Sequence, residues 1–426
     1  MRELLRATFD ATLADLRARI DGLSADAAGE ARRHAATGGN VLVIAFGKAA
    51  PAMAAALLRQ LPPTQVRGLC VPAQPIAALP PLTTVVGGHP LPTAGSFAAA
   101  RQALAACRAA DHHDHVVFLV SGGGSALLEA PLDDRVGVDE WRHFYRALVG
   151  CGAPIDHVNR VRRRLSLVKG GRLALAAQQA AGQHTIVVKD VPGPLADVAS
   201  GPTVGLPPGP DTLAADLDRF DLLPHLNPRL RERVRAGTVP ALPQLPAHVT
   251  AAASFVTIAD EHCVRACAAR SLGAAGVLVD DTVDVDDQPV DQALDALLAR
   301  LQALHARSPQ RRVAVVTTGE LSVPLPAAPG TGGRNQQFAL AAARRIAGQP
   351  IVVLSAGTDG IDGNSPAAGA IVDGSTVARA GRAGFDVDQH LLRCDAYPLL
   401  QAIGDALSPG ATGANVRDLR VLLYEV

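Results

Sequence analysis

Five short apolar runs alternate with Ala/Leu/Arg-rich helical stretches along this chain: VLVIAF (41–46), VVFLV (116–120), TIVV (185–188), VAVVTT (313–318) and IVVLSA (351–356). Runs this short, rich in β-branched residues and apolar at nearly every position, predict strands buried on both faces. Parallel strands covered by helices have that character. The chain therefore reads as an α/β protein. At 426 residues it is too long for one core. The pattern lapses between about 204 and 250, where Pro207, Pro208, Pro210, Pro224, Pro228, Pro240, Pro243 and Pro246 fall. We expect two domains, 1–245 and 246–426, each a largely parallel sheet flanked by helices.

Composition excludes several function classes. Formal net charge is zero, which argues against nucleic acid as a partner, and the arginine run at 160 and 162–164 is too short to change that. Leu4, Leu5, Phe9, Leu13 and Leu16 share one face of an N-terminal helix whose charges interrupt every apolar run, so it is expected to be neither a signal peptide nor a membrane span. The six cysteines (70, 107, 151, 263, 267 and 394) show no paired metal-site spacing and predict reduced thiols in a cytoplasmic protein. Asp111-His112-His113-Asp114-His115 reads as a solvated loop before a strand rather than a metal site.

The residues just past the strands point to chemistry. VLVIAF runs into Gly47-Lys48, VVFLV into Ser121-Gly122-Gly123-Gly124-Ser125, TIVV into Lys189-Asp190, VAVVTT into Gly319-Glu320, and IVVLSA into Gly357-Thr358-Asp359-Gly360. In open α/β sheets, ligands bind beyond the carboxyl ends of the strands. The chain has only three lysines, Lys48, Lys169 and Lys189, each in or beside a glycine-bearing or strand-end segment. A compact ammonium on a glycine turn can come close to a phosphate or carboxylate. The Ser121–Ser125 turn and the Gly330–Gly333 loop both lead into helices, where exposed amides form anion sites, and Arg334 adds a guanidinium beside the second. Asp190, Glu320 and Asp359 are carboxylates suited to holding Mg²⁺ or accepting a proton. Phosphoryl transfer is the most natural chemistry of such a set. No Walker A motif is present, because Leu42 stands at the first glycine position, and neither glycine loop completes G-x-G-x-x-G.

These segments resemble the type-2 glycerate kinases. The resemblance is carried by Gly47-Lys48-Ala49, Gly87-Gly88-His89-Pro90-Leu91-Pro92-Thr93, Val120 to Ala126 and Leu165 to Leu173. It continues through Asp190-Val191-Pro192-Gly193, Ala199-Ser200-Gly201-Pro202-Thr203, Gly332 to Gln336 and Ala356 to Gly363, in family order over nearly the whole chain. From about residue 310 the sequence is similar to the MOFRL domain of that family.

The resemblance implies ATP-dependent phosphorylation of D-glycerate to 2-phosphoglycerate with Mg²⁺, in a cleft between two α/β domains. It implies catalytic roles for Lys48, Arg334, Asp190 and Asp359, the two aspartates also serving the metal. Substrate or nucleotide contacts would come from Gly47, His89, Ser121, Gly122, Gly123, Gly124, Ser125, Lys169, Gly170, Arg172, Glu320, Gly333 and Asn335. D-glycerate and ATP are the expected partners, with neither nucleic acid nor membrane, and a homodimer is compatible with them. Lys189, Pro194 and Pro366 depart from the usual pattern and bear on metal coordination and fine specificity. The rival expectations are a nicotinamide-dependent hydroxypyruvate reductase, a label some members carry, and a catalytically silent ligand-binding relative.

Overall fold

The structure is a computed structural model that describes residues 1–23, 27–207 and 209–425; Pro208 of the proline-rich stretch lies outside them. The chain divides into two compact units, Arg19–Ile258 and Met1–Ala18 with Ala259–Val426. The start of the first helix, Arg2–Asp21, thus groups with the C-terminal half. Arg2 is bonded there to the carboxylates of Asp373 and Asp405.

The unit Arg19–Ile258 is built on strands β1 (Asn40–Phe46), β2 (Val66–Val71), β3 (Thr83–Thr84), β4 (Asp114–Ser121), β5 (Gly182–Val188) and β6 (Ala253–Ala259), in the order β3-β2-β1-β4-β5-β6. The first five run parallel. β4 and β5 are buried at every residue and β1 at all but its first, as their apolar runs require. The chain leaves β1 on one side for β2 and β3, and returns on the other for β4 and β5. That reversal places a crevice beyond the carboxyl ends of β1 and β4, where Gly47-Lys48 and Ser121–Ser125 lie.

The opposite end of the same strands corrects the reading of residues 111–115. Asp111–His113 do form a turn, but Asp114 and His115 begin β4 and are buried. Asp114 accepts a hydrogen bond from Arg67 at 2.8 Å and from the Asp111 amide. His115 lies 3.9 Å from Glu30, beside His34 and the buried His184. Burial pushes His115 down to about 4, with Glu30 opposing and His34, His184 and Arg33 reinforcing the shift. An imidazole that is neutral when folded must be protonated on unfolding below its ordinary pKa. Its stability contribution is therefore complete above about pH 6.5 and is lost as pH falls toward 4. Replacing His115 with Phe should remove roughly 2 kcal/mol of the stability difference between pH 7 and pH 5, read by denaturant melts of both proteins at both pH values. Parallel pH slopes would show that His115 does not titrate this way.

The other unit contains β7 (Leu278–Asp280), β8 (Val313–Thr318), β9 (Ile351–Gly357), β10 (Gly369–Asp373), β11 (Ala406–Leu407) and β12 (Asp418–Tyr424), in the order β11-β10-β9-β12-β8-β7. This sheet is mixed rather than largely parallel. β7 and β8 are parallel, but β12 runs antiparallel between β8 and β9, and β10 runs antiparallel to β9. Burial on both faces makes β8 and β9 as apolar as parallel strands, so their composition does not reveal the direction of a neighbour. The inserted strand has a consequence for the site: the amino end of β12 meets the carboxyl ends of β8 and β9, with Asp418 opposite Gly357 and Leu419 opposite Thr318.

Candidate active site

In the unit Arg19–Ile258, Gly47 and Lys48 make the turn out of β1. Gly47 has φ +123°, and a Cβ there would stand 2.1 Å from the Ser121 hydroxyl, so glycine is required twice over. Ser121 is fully buried, and its Oγ accepts from the Ala49 amide at 3.0 Å. The Lys48 amide donates to the Gly122 carbonyl at 2.9 Å. Ser121 and Gly122 therefore fix the lysine turn and do not face a ligand themselves. His89 and Lys48 flank Gly123: a Cβ there would lie 3.0 Å from His89 Cδ2 and 3.5 Å from Lys48 Cγ. The helix after the glycines is a single turn, Gly124–Leu127, shorter than the anion site expected of it. Asp190 is half-buried just past β5, whose Val188 pairs with Ser121.

Lys169, Gly170 and Gly171 spend their donors inside the protein rather than on a ligand. Lys169 is buried and ion-paired with Glu129 at 2.8 Å. The Gly170 and Gly171 amides donate to Ser200 and Gly201 carbonyls at 3.2 and 2.8 Å. Arg172 donates to the carbonyls of Arg163 and Lys169, and burial, aided by Arg164, pulls its guanidinium down to about 10. These bonds hold the loop at Ala199 and Ser200, two consecutive non-glycine residues with φ of +51° and +61°. Strained backbone of this kind persists only where surrounding structure enforces it, often at ligand sites.

In the second unit, Arg334 opens the helix Arg334–Arg345. Its Nε and Nη2 donate to the two carboxylate oxygens of Asp418 at 2.6 and 3.3 Å, and Nη1 donates to Glu320 at 2.8 Å. Asp418 also accepts from the buried Arg420 at 3.1 Å, which in turn donates to the Gly319 carbonyl. Burial works against both charges, yet Asp418 and Glu320 hold Arg334 above its ordinary pKa. Arg334 and Arg420 likewise hold Asp418 below the carboxylate range. Arg334 is thus a fixed, permanently charged fork.

Asp362 braces the start of the same helix, accepting from the Asn335 and Gln336 amides at 3.1 and 2.8 Å. Burial pushes its carboxyl up to about 6. Gly333 is tight against it, since a Cβ would fall 2.3 Å from its Oδ1. Asn335 is buried, accepts from the Ser355 hydroxyl at 2.7 Å and donates to Asp362, so it orients the helix rather than meeting a ligand. Asp359 is half-buried just beyond β9, and its Oδ1 accepts from the Ile361 amide. Sequence reasoning missed Asp418, Asp362 and Arg420. Asp418 opens a strand, whereas the sequence signal lay in the residues that strands run into.

The family model for a domain of unknown function, DUF4147, matches residues 3–235, and the MOFRL family model matches residues 313–418. Glycerate 2-kinase of Pyrococcus horikoshii is 31% identical over 395 residues, covering 90% of this chain and 87% of that protein. The chain belongs to the type-2 glycerate kinase family. Another member, D-glycerate 2-kinase of Thermotoga maritima, is 32% identical over 384 residues, 89% of each chain. A crystal structure of glycerate kinase from Thermotoga maritima superposes with a TM-score of 0.80 at 28% identity, covering 99% of this chain and all of that one. A protein of Agrobacterium vitis provisionally named a hydroxypyruvate reductase is 34% identical over 99% of this chain and 94% of its own length.

Proposed function

We propose that this type-2 glycerate kinase transfers the γ-phosphoryl group of ATP to the 2-hydroxyl of D-glycerate. The observation that carries the reading is the Arg334 fork, anchored by Asp418 and aimed from a helix start, a ready-made clamp for charge on a transferring phosphoryl group. Lys48, presented on the Gly47 turn, is a compact cation suited to neutralising phosphate charge. Asp190 accepts the proton of the attacking hydroxyl. Bound with the nucleotide, Mg²⁺ neutralises phosphate charge. No cluster of three or more His, Cys, Asp or Glu side chains able to hold a metal occurs among the described residues. Mg²⁺ commonly takes only one or two carboxylates, with phosphates and water completing its shell, and either Asp190 or Asp359, each half-buried just past a strand, would supply one such ligand.

Incubation with D-glycerate, Mg²⁺ and ATP in the presence of enolase tests the reading. Phosphoenolpyruvate should form at a rate set by this protein. ADP release without phosphoenolpyruvate would move the phosphate to another hydroxyl. The Agrobacterium relative's name favours a second reading, reduction of hydroxypyruvate with NADH. The missing dinucleotide fingerprint opposes it, and no NADH oxidation is expected.

A further inference from the structure

The four arginines of the helix Ile155–Leu165 are not alike. Arg160 is paired with Asp156 and Asp216, Arg163 with Asp197, and Arg164 with Asp211. Arg162 has no carboxylate partner among the described residues. Its guanidinium lies over the ring of Tyr145, 4.8 Å from the centroid, and its Nε is buried without a hydrogen bond. A half-buried cation lacking a counter-charge is costly, and its charge is balanced most directly by a bound anion.

The neighbours of Arg162 lead to the glycine loop of the site. Its Nη1 is 3.5 Å from Asn159 Oδ1, which accepts from the Ser200 hydroxyl at 2.9 Å. Ser200 and Ser125 hydroxyls are 2.9 Å apart, and the Tyr145 hydroxyl donates to the Ser125 carbonyl at 2.9 Å. Ser200 is one of the two strained residues, and Ser125 ends the Ser121–Ser125 turn.

We propose that Arg162 binds the carboxylate of the hydroxy-acid substrate, with the half-buried Ser125 hydroxyl beside it to receive a substrate hydroxyl and the buried Asn159 and Ser200 side chains holding both in place. The assignment rests on the glycerate kinase reading and gives this loop to glycerate. One uncompensated guanidinium among neutral hydroxyl and amide groups matches a singly charged, hydroxylated acid. A polyphosphate would need several free cations, whereas the other three arginines are neutralised and Asp197 lies 3.4 Å from Asn159 Nδ2.

The test combines calorimetric titration of D-glycerate without nucleotide and steady-state kinetics, on wild type, Arg162→Gln, Arg162→Lys and the ion-paired control Arg160→Gln. Arg162→Gln should raise KM for glycerate about 10- to 100-fold and leave KM for ATP within about twofold. Arg162→Lys, which keeps the charge without the fork, should fall between. Glycerol, which lacks the carboxylate, should be used equally poorly by wild type and Arg162→Gln, so the preference for glycerate collapses. Arg160→Gln should leave KM for glycerate unchanged. An unchanged glycerate KM in both Arg162 variants, or a rise confined to ATP, overturns the assignment alone. Wild type that neither binds nor phosphorylates glycerate overturns the proposed function, and this assignment with it.

Discussion

Arg334→Ala should lower kcat by three or more orders of magnitude and lower the melting temperature as well. The first effect comes from removing a fixed cation that stabilises transition-state charge, where single arginines contribute about 10³- to 10⁵-fold. The second comes from Asp418, a buried carboxylate that Arg334 holds through two hydrogen bonds. With Arg334 gone, Arg420 is its remaining cationic partner, and leaving the pair half-made costs on the order of 2–4 kcal/mol. Arg334→Lys separates the two effects. An ammonium can approach Asp418 but cannot bridge both of its oxygens and Glu320, so much of the stability should return while kcat stays roughly 100-fold down. Glu320 is half-exposed, and Glu320→Gln should change stability by less than about 1 kcal/mol. Turnover and thermal melts measured in parallel decide the matter. Wild-type-like kcat in Arg334→Ala would take this cation out of catalysis.

All five apolar runs became the strands they predicted, because burial on both faces leaves a signal that needs no partner to be read. β12 left no such signal: the charged, buried Asp418 and Arg420 interrupt its apolar run, though each is satisfied in the fold. Strand direction was hidden for the same reason, since a central strand is apolar whichever way it runs. The strand-end rule found Arg334's neighbour Glu320, yet missed Asp418 because an antiparallel strand brings its amino end to that edge. Arg162 was lost in what reads as an ordinary charged run. Only its neighbours' aspartates, at positions 156, 197, 211 and 216, set it apart.

Lys169 shows the limit of reading a glycine-flanked lysine as a phosphate ligand, and substitution there should have a large effect on stability. Its ammonium is buried, 2.8 Å from the equally buried Glu129, and donates to the Leu128 carbonyl at 3.1 Å. Glu129 also accepts from the Ser166 hydroxyl at 2.6 Å and the Ala130 amide at 2.9 Å. Backbone bonds from Leu132 to Leu165 and from Leu167 to Ala130 run beside the pair, so it clasps two chain segments together. Lys169→Met strands a carboxylate in the core and should cost about 3–5 kcal/mol, a fall of roughly 5–15 °C in melting temperature. Glu129→Leu should cost a similar amount by stranding the ammonium. The double replacement removes both charges and should recover most of the loss, because buried ion pairs stabilise little more than well-packed apolar groups of the same volume. In the double variant KM for ATP should stay within about twofold of wild type. A Lys169→Met protein that melts normally but binds ATP poorly would return this lysine to the phosphate site.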